Sequence, residues 1–110
     1  MQKNEVYLKH ILDAIVDIEE FSGDSTQPEF VGNKLVQSAV IRQLEIIGEA
    51  VKNISADVKK AHPSIPWKDI AGLRDKLIHA YFGIDYDLVW TIVRRDIPEL
   101  KQAITKILKT

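Results

Sequence analysis

Apolar residues recur every three or four positions along almost the whole chain, and no stretch alternates with the period of two that a half-buried strand needs. The pattern predicts an all-α fold. Tyr7 or Leu8, Ile11, Ile15 and Ile18 form one stripe opposite Lys9, Asp13, Asp17 and Glu20, which predicts a first helix from Asn4 to Phe21. The polar run Ser22-Gly23-Asp24-Ser25-Thr26-Gln27-Pro28 ends it. A second long helix is expected from Glu29 or Lys34 to Asn53, its early part as a separate turn, with Leu35, Ala39, Val40, Leu44, Ile47 and Val51 facing inward. Gly48 inside this run costs about 1 kcal/mol against alanine, so a close approach by another helix or by a second copy is its expected benefit.

Ser55 can cap a short helix ending near His62-Pro63, and Pro66 can occupy the first turn of the next, where a missing N–H costs nothing. That next helix is expected from Trp67 to Tyr81, with Gly83 as a stop. Asp85 then caps a helix through Tyr86, Leu88, Val89, Trp90 and Val93, and Asp96 with Pro98 repeats the start signal for a last helix using Leu100, Ile104 and Ile107 or Leu108. Short connections imply an antiparallel four-helix-type bundle with one or two short extra helices. At 110 residues, without internal repeat or linker, residues 1–110 are read as one domain.

Composition narrows the setting. Hydrophobic residues at 45% and charged residues at 28% are the balance of a globular protein. The absence of cysteine removes disulfides, thiolate zinc sites and thiol nucleophiles. Acidic residues within Met1 to Glu20 argue against a signal peptide, and no apolar run approaches membrane-spanning length, so a cytoplasmic protein is expected. The net charge of −1 hides an asymmetry: residues 1–51 hold 4 Lys and Arg against 9 Asp and Glu, and residues 52–110 hold 11 against 7. A basic half favours a polyanion such as RNA, although a solvated helical surface explains the charge equally well.

The chemistry concentrates in Arg74-Asp75-Lys76-Leu77-Ile78-His79-Ala80-Tyr81. Arginine offers a permanently charged planar fork for phosphate, and histidine is the side chain suited to exchange protons near neutrality. On an ideal helix, Ile70, Leu73, Leu77 and Ala80 face the core, Arg74 and Tyr81 share one flank, and Asp75 and His79 share the other, four residues apart. Arg74 and His79 then lie roughly 140° apart, and a groove formed with another helix or a second copy is needed to bring both to one phosphate. Cleavage of RNA without metal asks for a base at the ribose 2′-hydroxyl and an acid at the leaving 5′-oxygen, whereas each chain offers one such histidine. A two-fold dimer supplies two His79 and two Arg74.

Plainer explanations exist for each group. His79 could be a surface residue, Arg74 could pair with Glu49 or Asp87, and Tyr81 could be a half-buried anchor. His10 and His62 lack a metal partner at useful spacing, and Trp67 and Trp90 read as core. No glycine-rich phosphate loop, HExxH pair or nucleophile elbow occurs.

Several segments in fixed order carry a resemblance: Ile46-Ile47-Gly48-Glu49-Ala50, Ile65-Pro66-Trp67, the Arg74-x-x-x-x-His79-x-Tyr81 spacing, Asp85 with Trp90, and Leu100 after Pro98. Across essentially its full length the chain resembles HEPN-domain proteins of the HepT toxin type. The resemblance implies a homodimeric helical bundle with a composite, metal-independent endoribonuclease site, in which Arg74 and His79 match the catalytic pair. It implies a toxin of a type II-like toxin-antitoxin pair, with an RNA substrate (mRNA or tRNA). It also implies an MNT-type nucleotidyltransferase antitoxin that moves AMP from ATP onto Tyr81, the chain itself needing no cofactor. The position after the motif arginine is often asparagine in that family and is Asp75 here; either Asp75 raises the pKa of His79 or it lowers activity. The alternatives are a non-catalytic helical module that binds a nucleotidyltransferase or a nucleotide, and a structural bundle whose motif is an ion-pair network.

Overall fold

The computed structural model describes residues 2–79 and 83–109, with the side chains of Gln2, Arg74, Ile78 and His79 outside the description. Its elements are α1 (Gln2–Ser22), α2 (Gln27–Val31), α3 (Lys34–Lys52), α4 (Ala56–Ala61), α5 (Trp67–Ala71), α6 (Leu73–Leu77), β1 (Ile78–His79), β2 (Gly83–Ile84), α7 (Tyr86–Thr91) and α8 (Ile97–Lys109). A π-helical turn, Ile92–Asp96, joins α7 to α8. The fold is helical as expected, and β1 with β2 forms an antiparallel ladder of two residue pairs, Ile78 with Ile84 and His79 with Gly83.

Leu8, Ile11, Ile15 and Ile18 are buried along one face of α1 and meet Val40, Leu44, Ile47 and Val51 of α3. Asn4 at the start of α1 exchanges two hydrogen bonds with Ser55, just beyond the end of α3, so the two helices run antiparallel. On the other side Lys101 of α8 pairs with Glu19 near the end of α1 at 2.9 Å, and Ile107 and Leu108 lie beside Leu8 near its start. α8 is therefore also antiparallel to α1. No helix among the described residues is long and apolar enough to cross a membrane.

Local chemistry sets the boundaries. α1 ends at Gly23, whose φ of 48° is in the left-handed region and whose N–H donates back to the Glu19 carbonyl. α2 opens with a reciprocal capping box: the Thr26 hydroxyl accepts from the Glu29 N–H, and the Glu29 carboxylate accepts from the Thr26 N–H. The Thr26 backbone bond, then its hydroxyl, hold the Glu29 carboxyl below its ordinary pKa, so this contact favours the fold above the usual carboxylate range and fades as pH falls through the depressed value. Asn33, Ser55 and Asp85 cap α3, α4 and α7.

Four expectations change. Leu35 is 81% exposed instead of facing inward. At that end of α3 Phe30 of α2 fills the core, and the buried Gln37 turns inward to donate to the Phe30 carbonyl at 2.8 Å. Leu35 and Gln37 lie roughly 200° apart on a helix, so turning one in turns the other out. Pro66 precedes the first turn of α5 as its cap residue, and its carbonyl accepts from the Ile70 N–H.

The helix expected from Trp67 to Tyr81 is instead interrupted at Gly72 and ends at Leu77. The Leu77 carbonyl accepts from the Asp85 N–H at 3.1 Å, and the chain beyond it pairs as β1. Finally, Asp96 and Pro98 start no new helix, because α7, the π turn and α8 are continuous. Proline in an α-helix clashes with the carbonyl four residues back, here that of Arg94. The π turn widens the ladder just before it, with the Ile97 N–H reaching five residues back to the Ile92 carbonyl.

Gly48 meets its expectation of a close helix approach. A Cβ there would stand 3.2 Å from the Ile70 carbonyl oxygen and 3.4 Å from that of Ala71, so the backbone of α5 lies directly on α3. Gly48→Val should destabilise the protein by about 1–3 kcal/mol through overpacking, read as a lower urea midpoint. An unchanged midpoint would show that α5 yields freely.

Candidate active site

The motif segment reaches the core through alternate turns. Ile70, Leu73 and Leu77 are buried, as the expected stripe requires, whereas Ala80 lies outside the described residues. α5 and α6 both pack on α3, and α6 also touches α7. The contact at Gly48 therefore fixes the height of the segment, and Leu73 and Leu77 fix its rotation.

The backbone places Arg74 in α6 and His79 in β1, two residues beyond the helix end. The ideal-helix angle between them no longer applies, nor does the one-helix spacing that would make Asp75 and His79 neighbours. Asp75 is exposed on α6. The side-chain positions of Arg74 and His79, and all of Tyr81, lie outside the described residues. Glu49 and Asp87, the carboxylates the sequence offers Arg74, have other partners: Lys52 Nζ lies 3.3 Å from Glu49, and Gln27 donates to Asp87 at 3.0 Å.

The ladder that carries His79 is anchored from behind. Gly83 has a φ of 78°, a left-handed value that glycine adopts without strain, and it stands opposite His79 in the register. Asp85 closes the unit twice, donating its N–H to Leu77 and accepting from the Leu88 N–H at 3.0 Å as the cap of α7. One residue thus ties the end of the motif helix to the start of the next.

Beside α6 a groove of about 390 Å³ opens between the motif segment and the last helix. Ile70 and Leu73 form one side of its floor and Ile92, Ile97 and Leu100 the other. Exposed Asp69, Lys76, Asp96 and Glu99 stand on its rim. Sequence reasoning missed this rim, because Asp69 lies in α5 and Lys76 in α6, and no single helical periodicity joins the two across the break at Gly72. It also missed that Arg94 stacks on the Trp90 ring at 4.4 Å while donating to the Gly23 and Ser25 carbonyls at 3.0 and 2.9 Å. A Trp-x-x-x-Arg spacing announces such a pair. Trp67 is core, with its indole N–H donating to the His62 carbonyl at 3.0 Å, and half-buried Trp90 packs on Phe30. His10 lies edge-on to Tyr7.

Comparison with known proteins adds what the geometry leaves open. The model of the family described as "Ribonuclease HepT-like" matches residues 11–107. A Thermococcus cleftensis protein named "Probable ribonuclease HepT" is 52% identical over 103 residues, covering 94% of each chain. A Methanocaldococcus jannaschii protein named "Putative RNase" is 48% identical over 111 residues, covering 99% of this chain and 96% of its own. A second protein of that organism, named "Gamma-glutamylcyclotransferase and putative RNase", is 48% identical over 105 residues; the match covers 96% of this chain and 47% of that longer protein. No solved structure matches the chain.

Asp85→Ala should cost about 1 kcal/mol through loss of the α7 cap, and Asp85→Asn should recover most of it. Thermal unfolding of the two variants checks this, and equal losses would mean that the charge of Asp85 matters more than its capping oxygen.

Proposed function

The chain belongs to the HepT-like ribonuclease family, and from that membership we propose that it is a metal-independent endoribonuclease acting at a composite site between two copies. The family match across residues 11–107, which contains Arg74, His79 and Tyr81, is the observation that carries this reading. In the proposed reaction the ribose 2′-hydroxyl loses its proton to one His79 and attacks the adjacent phosphorus. The bond to the 5′-oxygen breaks, and that oxygen takes a proton from the partner's His79. The products are a 2′,3′-cyclic phosphate and a 5′-hydroxyl. Arg74 stabilises the extra charge on the phosphorane, an electrostatic contribution worth about 3–4 kcal/mol in comparable sites.

The exposed carboxylate of Asp75 acts on this site through charge. If it raises the proton affinity of His79 it supports the acid step, and if it repels the RNA phosphate it restrains the enzyme. Asp75→Asn separates the two by the sign of its effect on cleavage rate. In the cell the chain is the toxin of a toxin-antitoxin pair, and a nucleotidyltransferase antitoxin transfers AMP from ATP to the Tyr81 hydroxyl, releasing pyrophosphate. The added phosphate charge and bulk then oppose RNA entry.

In EDTA, His79→Ala and Arg74→Ala should each lower RNA cleavage by about 10²-fold or more, with the unfolding midpoint unchanged. Products should end in 2′,3′-cyclic phosphate; 3′-hydroxyl ends, or full activity in His79→Ala, would sink the mechanism. A folded dimer that cuts no RNA would favour a non-catalytic module that binds a nucleotidyltransferase. With the antitoxin and ATP, mass spectrometry should find AMP on the protein and none on Tyr81→Phe, and the modified protein should lose cleavage. AMP appearing on another residue would remove Tyr81 from the account.

A further inference from the structure

We propose that the groove between the motif segment and the last helix is a docking site for an amphipathic helix of a partner protein, one with leucine-type residues on one face and lysines or arginines beside them. Its floor along the π turn and α8 runs from Ile92 to Ala103, roughly 16 Å of helix, and α5 and α6 form the facing wall. An elongated apolar trough between two helices takes a third helix by its side-chain ridge, with anchors about one turn apart.

Charge selects the occupant. Asp69 stands on one wall and Asp96 and Glu99 on the other, against the single cation Lys76. Asp96 is partly answered by Arg95 at 3.1 Å, while no ion pair among the described residues engages Asp69 or Glu99. Three carboxylates on the rim of an apolar floor oppose a phosphodiester backbone and favour cationic side chains that flank an apolar anchor. A second copy docked groove to groove about a two-fold axis would bring each acidic rim against its own image, which costs binding energy. A partner of opposite charge meets no such repulsion.

The inference stands on the groove and not on ribonuclease chemistry, but it has a consequence for the motif. Leu73, in the floor, immediately precedes Arg74, and Lys76, on the rim, lies three residues before His79. A helix seated here would hold α6 against α3.

The test is an amide NMR titration of the labelled full chain with a peptide of about 14 residues, roughly four helical turns, carrying leucines on one face and lysines beside them. A peptide with glutamate for lysine is the control. Shifts confined to the floor residues, with at least about tenfold weaker binding of the glutamate peptide, are expected. Asp69→Lys with Glu99→Lys should reverse that preference, and the two-peptide comparison on the unaltered protein stands even if this variant folds poorly. Four outcomes would overturn the proposal: no saturable binding, equal binding of both peptides, shifts centred elsewhere, or tighter capture of a single-stranded RNA by the same residues. Concentration-dependent shifts of the floor amides without peptide would assign the groove to a second copy and overturn it as well.

Discussion

The position of the motif depends on one close contact, the backbone of α5 lying against Gly48 of α3. Any larger residue at 48 would insert its side chain between two helix backbones. With glycine there, α5 sits low enough for Ile70, Leu73 and Leu77 to reach the core formed by α1 and α3. Beyond this seat the groove lies between the α5–α6 segment and the last helix. A residue that is unfavourable for helix propensity thereby sets the geometry of the segment that carries Arg74.

The last helix is built to a different constraint. Pro98 threatens a continuous ladder, and the π turn at Ile92–Asp96 absorbs it without a break. Continuity matters because the groove floor spans the junction, taking Ile92 from the π turn and Ile97 and Leu100 from α8. Arg94, within the π turn, stacks on Trp90 and gathers the Gly23 and Ser25 carbonyls, so the connection after α1 is tied to the same turn. Hydrogen bonds from a charged donor to carbonyls that no helix satisfies are among the stronger polar contacts a surface can make.

Helical class, the buried stripe of α1, the caps at Ser55 and Asp85 and the purpose of Gly48 were legible because each rests on local periodicity or on a few neighbouring residues. The errors arose where distant residues compete. Leu35 has the right spacing for the core, but α3 turns Gln37 inward to the Phe30 carbonyl of another helix, and a buried Gln37 is the last residue a hydrophobic pattern would select. The end of the motif helix was illegible for a similar reason: its pattern continues to Tyr81, but Asp85 takes the Leu77 carbonyl and the chain turns into the ladder. The proposal of Arg74 and His79 as the chemical pair rests on residue type and family likeness, and the described backbone adds only that one lies in α6 and the other in β1.

That changed path bears on the proposed chemistry. Had His79 continued the helix, its bearing relative to Arg74 would follow from helical twist alone, whatever the rest of the fold did. In the ladder its place depends instead on Gly83 across the register and on the Asp85 link to Leu77. The acidic groove borders the helical half of the motif, and at physiological salt charges act over only about 8 Å, so its repulsion of phosphate is local to that side. On the proposed function, an RNA reaching Arg74 and His79 would have reason to approach away from the groove. A helical partner in the groove and a nucleic acid at the motif would then both bear on α6, and the seating of α5 on Gly48 just before it would be felt by both.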